Sequence, residues 1–333
     1  MTIRVFDHYE GHLRQIPIYR REDLAEANPV WIDLATPEEE QLVWARDIFG
    51  VDLPNPKDLT YQETSARFYV KENGELHLHS DFLLDWEEES RKVVVAFVLY
   101  NGILFSVRAE ELPVFRLQHS RVSAQAGYVS EAKDVLLNLF AIDVEYSANE
   151  LENIYARLEQ VGKQVFRPNK TNEEAAKILT AISLEEDLNG RIRRNILDTR
   201  NALSFLMRRK ILSIAQHEDV REILHDIESL DGHTTFLFNK INFQMDATVG
   251  FLNVNQNENL KRLTIISVVF MPINVLAGIG GMSEFTMMTQ GIPWPIAYSA
   301  IIMVMVAIGI LTFMSLRTFE NRKNKKSSLG KLG

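Results

Sequence analysis

From Leu263 to Leu316 the chain carries no Lys, no Arg and no Asp, and a single Glu, Glu284. Two apolar runs, 263–279 and 292–316, flank a short polar break. A helix needs about 20 apolar residues to cross roughly 30 Å of hydrocarbon. A charge at the centre of such a helix costs about 2.5–3.5 kcal/mol on insertion scales, and neither run carries one. The expectation is two C-terminal membrane crossings preceded by a long soluble part. A buried helical hairpin inside a soluble core is the competing reading. The polar flanks, with Trp294 and Tyr298 at one boundary as in an interfacial belt, argue against it.

The flanking charges set an orientation. Lys261 and Arg262 stand before the first run, and Arg317, Arg322, Lys323, Lys325, Lys326 and Lys331 follow the second. Residues 283–291 have no positive charge. The positive-inside rule then puts both termini in the cytoplasm and the loop outside. The N-terminus, MTIRVFDHYEGH, lacks an apolar signal segment, so the first part is expected to stay in the cytoplasm, with the chain in the inner (plasma) membrane. The chain has no Cys, which fits a reducing compartment and excludes disulfides and a Cys-based zinc site. Net charge is −9 despite the basic tail, so the soluble part is acidic. That disfavours nucleic acid as a partner and suits metal cations.

The chain falls into six segments. Residues 1–125 read as a cytoplasmic α/β domain. Val30 to Leu34, Phe68 to Val70, Leu76 to Leu84 and Lys92 to Tyr100 read as strands, and Asn101-Gly102 turns the last into Ile103 to Val107. Thr36-Pro37-Glu38-Glu39 predicts a helix start with Thr36 as N-cap and Pro37 at the first helical position, and Gly50 ends that helix. Residues 126–217 read as cytoplasmic long helices, one to Val165 and one from Asn172 to about Ile214. Residues 218–283 read as a stalk helix continuing into the first crossing, since no Pro falls between Glu218 and Leu263. Then come an extracytoplasmic loop at 284–291, the second crossing at 292–316 and a basic cytoplasmic tail at 317–333. A stalk that long needs other helices beside it, including those of other subunits.

The block Asn257-Glu258-Asn259-Leu260-Lys261-Arg262-Leu263-Thr264-Ile265-Ile266, with Phe270-Met271-Pro272 and Ala277-Gly278-Ile279-Gly280-Gly281-Met282-Ser283, resembles the CorA family of two-helix divalent-cation transporters. The resemblance extends more loosely along the whole chain. It implies a homopentameric, funnel-shaped channel, with the first crossing lining the pore and the second forming an outer ring. It implies transport of Mg²⁺, with Co²⁺ or Ni²⁺ as surrogates, and no catalytic cofactor. The family's pore mouth reads Tyr-Gly-Met-Asn, whereas this chain has Gly280-Gly281-Met282-Ser283 with Glu284 next. Ser hydroxyls are shorter and weaker acceptors than Asn amides. Members similar to the zinc transporter ZntB depart at this motif too, with Gly-Ile-Asn, so a Zn²⁺ transporter remains an alternative. A non-transporting membrane scaffold or metal sensor is another.

Periodicity supports part of this. Two crossings per chain cannot enclose a hydrophilic path, so a pore requires an oligomer. Leu263, Ser267, Met271, Asn274 and Gly278 recur at three- and four-residue spacing and share one helix face. Extended back, the face takes in Leu260 and Asn257, with Asp246 close to it. In a ring of subunits Asp246 would supply carboxylates, and Asn257 and Asn274 carbonyl oxygens, the ligands hard divalent cations accept. Leu260, Leu263 and Met271 would be apolar constrictions. The small residues Ala277, Gly278 and Gly281 permit close helix approach, with or without a pore. His77 and His79 fall on one side of a predicted strand with Asp81 next in line, a candidate zinc pair set against two surface histidines. The carboxylates Glu185-Glu186-Asp187 and Glu218 to Asp231 read as a solvated face; in this family similar groups bind Mg²⁺ between subunits. The Gly278-x-Gly280-Gly281 cluster follows a membrane-length helix rather than a strand, so it is no nucleotide loop. With no nucleophile–base arrangement either, the chain does not read as an enzyme.

Overall fold

The computed structural model describes residues 3–58, 67–86, 89–124, 127, 129–167, 171–281, 287 and 290–329. The chain divides into two compact units, Met1–Asp246 and Ala247–Gly333.

The first unit is built on a seven-stranded sheet. Its strands are β1 (Ile3–Tyr9), β2 (His12–Ile16), β3 (Pro29–Ala35), β4 (Phe68–Val70), β5 (Leu76–Trp86), β6 (Glu89–Tyr100) and β7 (Ile103–Arg108), in the spatial order β2-β1-β3-β7-β6-β5-β4. Among the described strands only the central β3–β7 pair is parallel. That pair is buried on both faces, which is why Trp31 to Leu34 and Leu104 to Val107 read as near-continuous apolar runs. Asn101 and Gly102 both take positive φ, 49° and 78°, as a two-residue hairpin turn between β6 and β7 demands.

Helices cover both faces. On one side α1 (Arg21–Glu26) and α2 (Glu39–Phe49) bury Leu24, Leu42 and Ala45 against Ile32, Leu34, Val98 and Phe105. On the other, α3 (Pro113–Ala124), α4 (Ala132–Val165) and α5 (Asn172–Arg208) pack with Trp31, Phe82, Phe97 and Leu104. Helix α6 (Ile214–Gly280) adds Val220, Ile223 and Ile227 to that cluster. Further along, Asn189 Nδ2 donates to Thr234 O at 3.0 Å, and Gln244 Nε2 to Leu158 O at 2.8 Å. Gly162 makes the second bond reachable, since a Cβ there would stand 3.0 Å from Gln244 Nε2. A buried polar knot fastens the sheet centre: Trp31 Nε1 donates to Ser106 Oγ, Ser106 Oγ to Asp33 Oδ1, and Arg108 pairs with Asp33 under the Phe115 ring. Burial alone would raise the Asp33 pKa; Arg108 and His119 outweigh it and hold the carboxyl well below its usual range.

Three boundaries differ from the sequence expectation. Thr36 is not the N-cap of α2, because its N–H continues the parallel pairing to Arg108 O at 2.9 Å and its φ is +48°. The helix starts two residues later, where the Glu38 N–H donates to Gln41 Oε1 at 3.1 Å, while Gly50 caps its end in the left-handed conformation as expected. Helix α5 stops at Arg208 rather than near Ile214, because Lys210 turns to φ +55° and the next helix begins at Ile214. The apolar run and the basic tail form one helix, α7 (Trp294–Leu329), since no Pro or Gly interrupts residues 310–329. The expected break at Pro168-Asn169 lies outside the described residues.

Candidate functional site

The second unit consists of the C-terminal part of α6 and all of α7. Both carry windows long and apolar enough to cross a membrane, and neither window is buried within the chain. A soluble core hairpin would bury them, so this exposure fits lipid and other subunits better than water. The helix is continuous from Ile214 to Gly280, with Pro272 inside it. Pro272 has no N–H, so the Val268 carbonyl lacks its partner four residues on.

The two sides of α6 are unlike. Ile265, Val269, Pro272, Ile273 and Leu276 are half-buried and recur at helical spacing. They line one stripe, and α7 answers with half-buried Ile301, Met305, Ile308, Thr312 and Leu316 and buried Ala297 and Gly309. Leu263, Ser267, Met271, Asn274 and Gly278 are all exposed in the single chain. Residue 267 lies two positions from 265, about 200° around the helix, so the exposed set is centred opposite the covered stripe. Asn257 and Leu260 are exposed as well.

Asp246 belongs to the first unit, where it is exposed and Ile241 and Gln244 are buried. Gly281 is exposed. Met282, Ser283 and Glu284 lie outside the described residues.

The histidine pair is not a zinc site of the expected kind. His77 and His79 do sit on β5, yet both are buried, at 1% and 2% exposure, instead of solvated. His77 Nε2 contacts Glu75 Oε2 at 2.8 Å and its ring stacks on Tyr69 at 4.7 Å. Asp81 is taken by Arg67 at 2.7 Å and Lys92 at 3.4 Å. Among the described residues no group of three or more His, Cys, Asp or Glu side chains could hold a metal ion. Burial lowers the pKa of both rings, His79 to about 4 with His77 and Arg67 adding to the effect. They are buried packing elements of the α/β layer.

The chain matches the family model described as CorA-like Mg²⁺ transporter protein over residues 26–318. It belongs to that family. The magnesium transport protein CorA of Salmonella typhimurium is 35% identical over 323 residues, covering 97% of this chain and 99% of that protein. CorA of Escherichia coli K12 is 37% identical over 298 residues, covering 89% and 92%. Among solved structures, the complete CorA magnesium transporter of Methanocaldococcus jannaschii aligns with a TM-score of 0.72 at 16% identity, covering 95% of this chain and 98% of that one. The full-length CmaX protein aligns with a TM-score of 0.64, also at 16% identity. At those identities the structures bear on the fold alone, and they agree with the α/β unit, long helix and two C-terminal apolar helices described above.

The contact between Ile273 and Gly309 was invisible to sequence reasoning. Gly309 looks like any other small residue in an apolar run, and only its place opposite Ile273 singles it out.

Proposed function

We propose that this chain is one subunit of a homopentameric, channel-like transporter that passes Mg²⁺ across the inner membrane with both termini in the cytoplasm. The observation that carries the reading is the exposed stripe on α6 that runs opposite the stripe facing α7. Asn274 is a polar amide on that stripe within an apolar helix. An amide facing hydrocarbon without a partner costs several kcal/mol, whereas facing a ring axis it meets water and ions. The sequence relatives named as magnesium transport proteins cover nearly the whole chain.

In this assembly Asn274 and Asn257 present carbonyl oxygens to the ion. Mg²⁺ sheds its waters reluctantly, so these oxygens act on a hydrated ion. Leu263 and Met271 form apolar constrictions that gate by dewetting, and Leu260 belongs to the same stripe. Ser267 and Gly278 line the same path. Asp246 gathers cations on the cytoplasmic side. Gly281, Met282, Ser283 and Glu284 form the mouth, where a Ser hydroxyl ring and Glu284 carboxylates stand in for the family's Asn ring. The ion is the cargo, and no catalytic group is involved.

Flux into liposomes carrying the purified protein, followed with Mg²⁺- and Zn²⁺-sensitive dyes in parallel, tests this. Mg²⁺ entry is expected. Zn²⁺ entry alone would reassign the cargo. Silence for both, in a folded oligomer, would overturn transport and favour a scaffold or sensor.

A further inference from the structure

Gly309 and Ile273 meet within the second unit. Among the described side chains of α7, Ala297 and Gly309 are the buried ones. A Cβ added to Gly309 would stand 3.1 Å from Ile273 Cδ1 and 4.0 Å from its Cγ1. Ile273 thus rests on the bare backbone of α7. Its next residue is Asn274, about 100° further around α6.

In a bilayer there is little hydrophobic drive between helices, so close approach at small residues decides how two helices set against each other. Ile273 is β-branched and has one strongly preferred χ1 in a helix, so only its terminal Cδ1 can turn aside, and a Val at 309 adds two methyl groups beyond the Cβ that already crowds that atom. The orientation of Asn274 therefore depends on what stands at position 309.

We propose that Gly309 is a positioning residue for ion transport: its missing side chain seats Ile273 and fixes the rotation of α6 that turns Asn274 away from α7. This rests on the reading of the Asn274 stripe as the ion path. Filling the seat with Val forces α6 to shift or turn, and a turn of one position presents Val275 in place of Asn274. Emptying the seat by cutting Ile273 back leaves room for the added side chain. A size swap should restore what the single change removes.

The test uses the full-length protein, whose lack of Cys makes added cysteines unambiguous reporters. Asn274→Cys and Val275→Cys are each made in the parent, in Gly309→Val and in Gly309→Val with Ile273→Ala. Labelling by a water-soluble thiol reagent is read in liposomes, and Mg²⁺ flux is measured in the same three backgrounds without the cysteines. In the parent, position 274 should label and 275 should not; failure of this first result would sink the pore-face reading itself. Gly309→Val should cut flux about tenfold and move labelling from 274 toward 275, and Ile273→Ala should return both toward the parent. Ala307→Val adds the same bulk at an exposed position of α7 and should leave both readouts unchanged. Unchanged labelling at 274 with parental flux in an assembled Gly309→Val protein would overturn the inference. If Gly309→Val fails to assemble, Ile273→Ala alone decides: it should broaden labelling to 275, and a parental pattern would overturn the proposal.

Discussion

Asp143 Oδ2 on α4 accepts a 2.8 Å hydrogen bond from Asn195 Nδ2 on α5, in an interior where both residues are buried. Thr199 Oγ1 donates to the same oxygen at 3.2 Å. Among the described residues no cation contacts the carboxyl. Burial raises its pKa to about 7, with the bonds from Asn195 and Thr199 opposing and the charge of Asp198 adding to the rise. Two long helices are therefore joined through an acid that titrates near neutrality.

A pH dependence follows. The folded pKa lies above the ordinary value of 3.8, so the stability Asp143 contributes is fully present below that value and is lost as pH rises to about 7. Asp198, raised to about 6 chiefly by burial, acts in the same direction. Asp143→Asn keeps an acceptor for Asn195 and does not ionise. It should raise stability at pH 8 by on the order of 1–3 kcal/mol and flatten the slope between pH 4 and about 7. Thermal melts of the purified protein across that range check this. A melting temperature at pH 8 below the parent's would refute it.

Arg67 holds two carboxylates from different elements. Its Nη2 meets Asp81 Oδ1 of β5 at 2.7 Å and its Nη1 meets Asp198 Oδ1 of α5 at 2.8 Å. Breaking a buried pair from one side leaves uncompensated charge. Arg67→Met should cost about 3–5 kcal/mol, and Asp198→Asn in the same chain should recover part of it. Denaturant titration of the single and double variants measures the recovery; none at all would mean the guanidinium acts through packing alone.

Asn274→Leu should abolish most Mg²⁺ uptake while the protein still assembles, because an apolar ring at that level leaves the ion without oxygen ligands. Uptake by cells and size-exclusion of the purified variant are read together. Wild-type uptake would remove Asn274 from the ion path.

Asp246→Asn should lower flux a few-fold at low ionic strength and much less at high salt. An exposed carboxylate acts by concentrating cations, an effect that salt screens over roughly 10 Å at 0.1 M. Equal losses at both ionic strengths would argue for direct ligation instead.

The sequence by itself determined the parts that depend on local chemistry. The charge-free runs define the apolar parts of α6 and α7, because a chain without charges over that length has no stable place in water. Asn101-Gly102 closes its hairpin and Gly50 ends its helix, because both positions need positive φ. The spacing of Leu263, Ser267, Met271, Asn274 and Gly278 places them on one face of any helix they form. What the tertiary structure decided is which neighbours meet. Thr36 reads as a cap until the Arg108 carbonyl claims its N–H. His77 and His79 read as a zinc pair or as two surface histidines until β5 is covered. Gly309 is a small residue like others until Ile273 rests on it. A pattern along the chain reports a residue's own conformational and solvation preferences. Burial, pairing and contact across elements depend on residues far away in sequence, and these settle only when the helices and sheet close on one another.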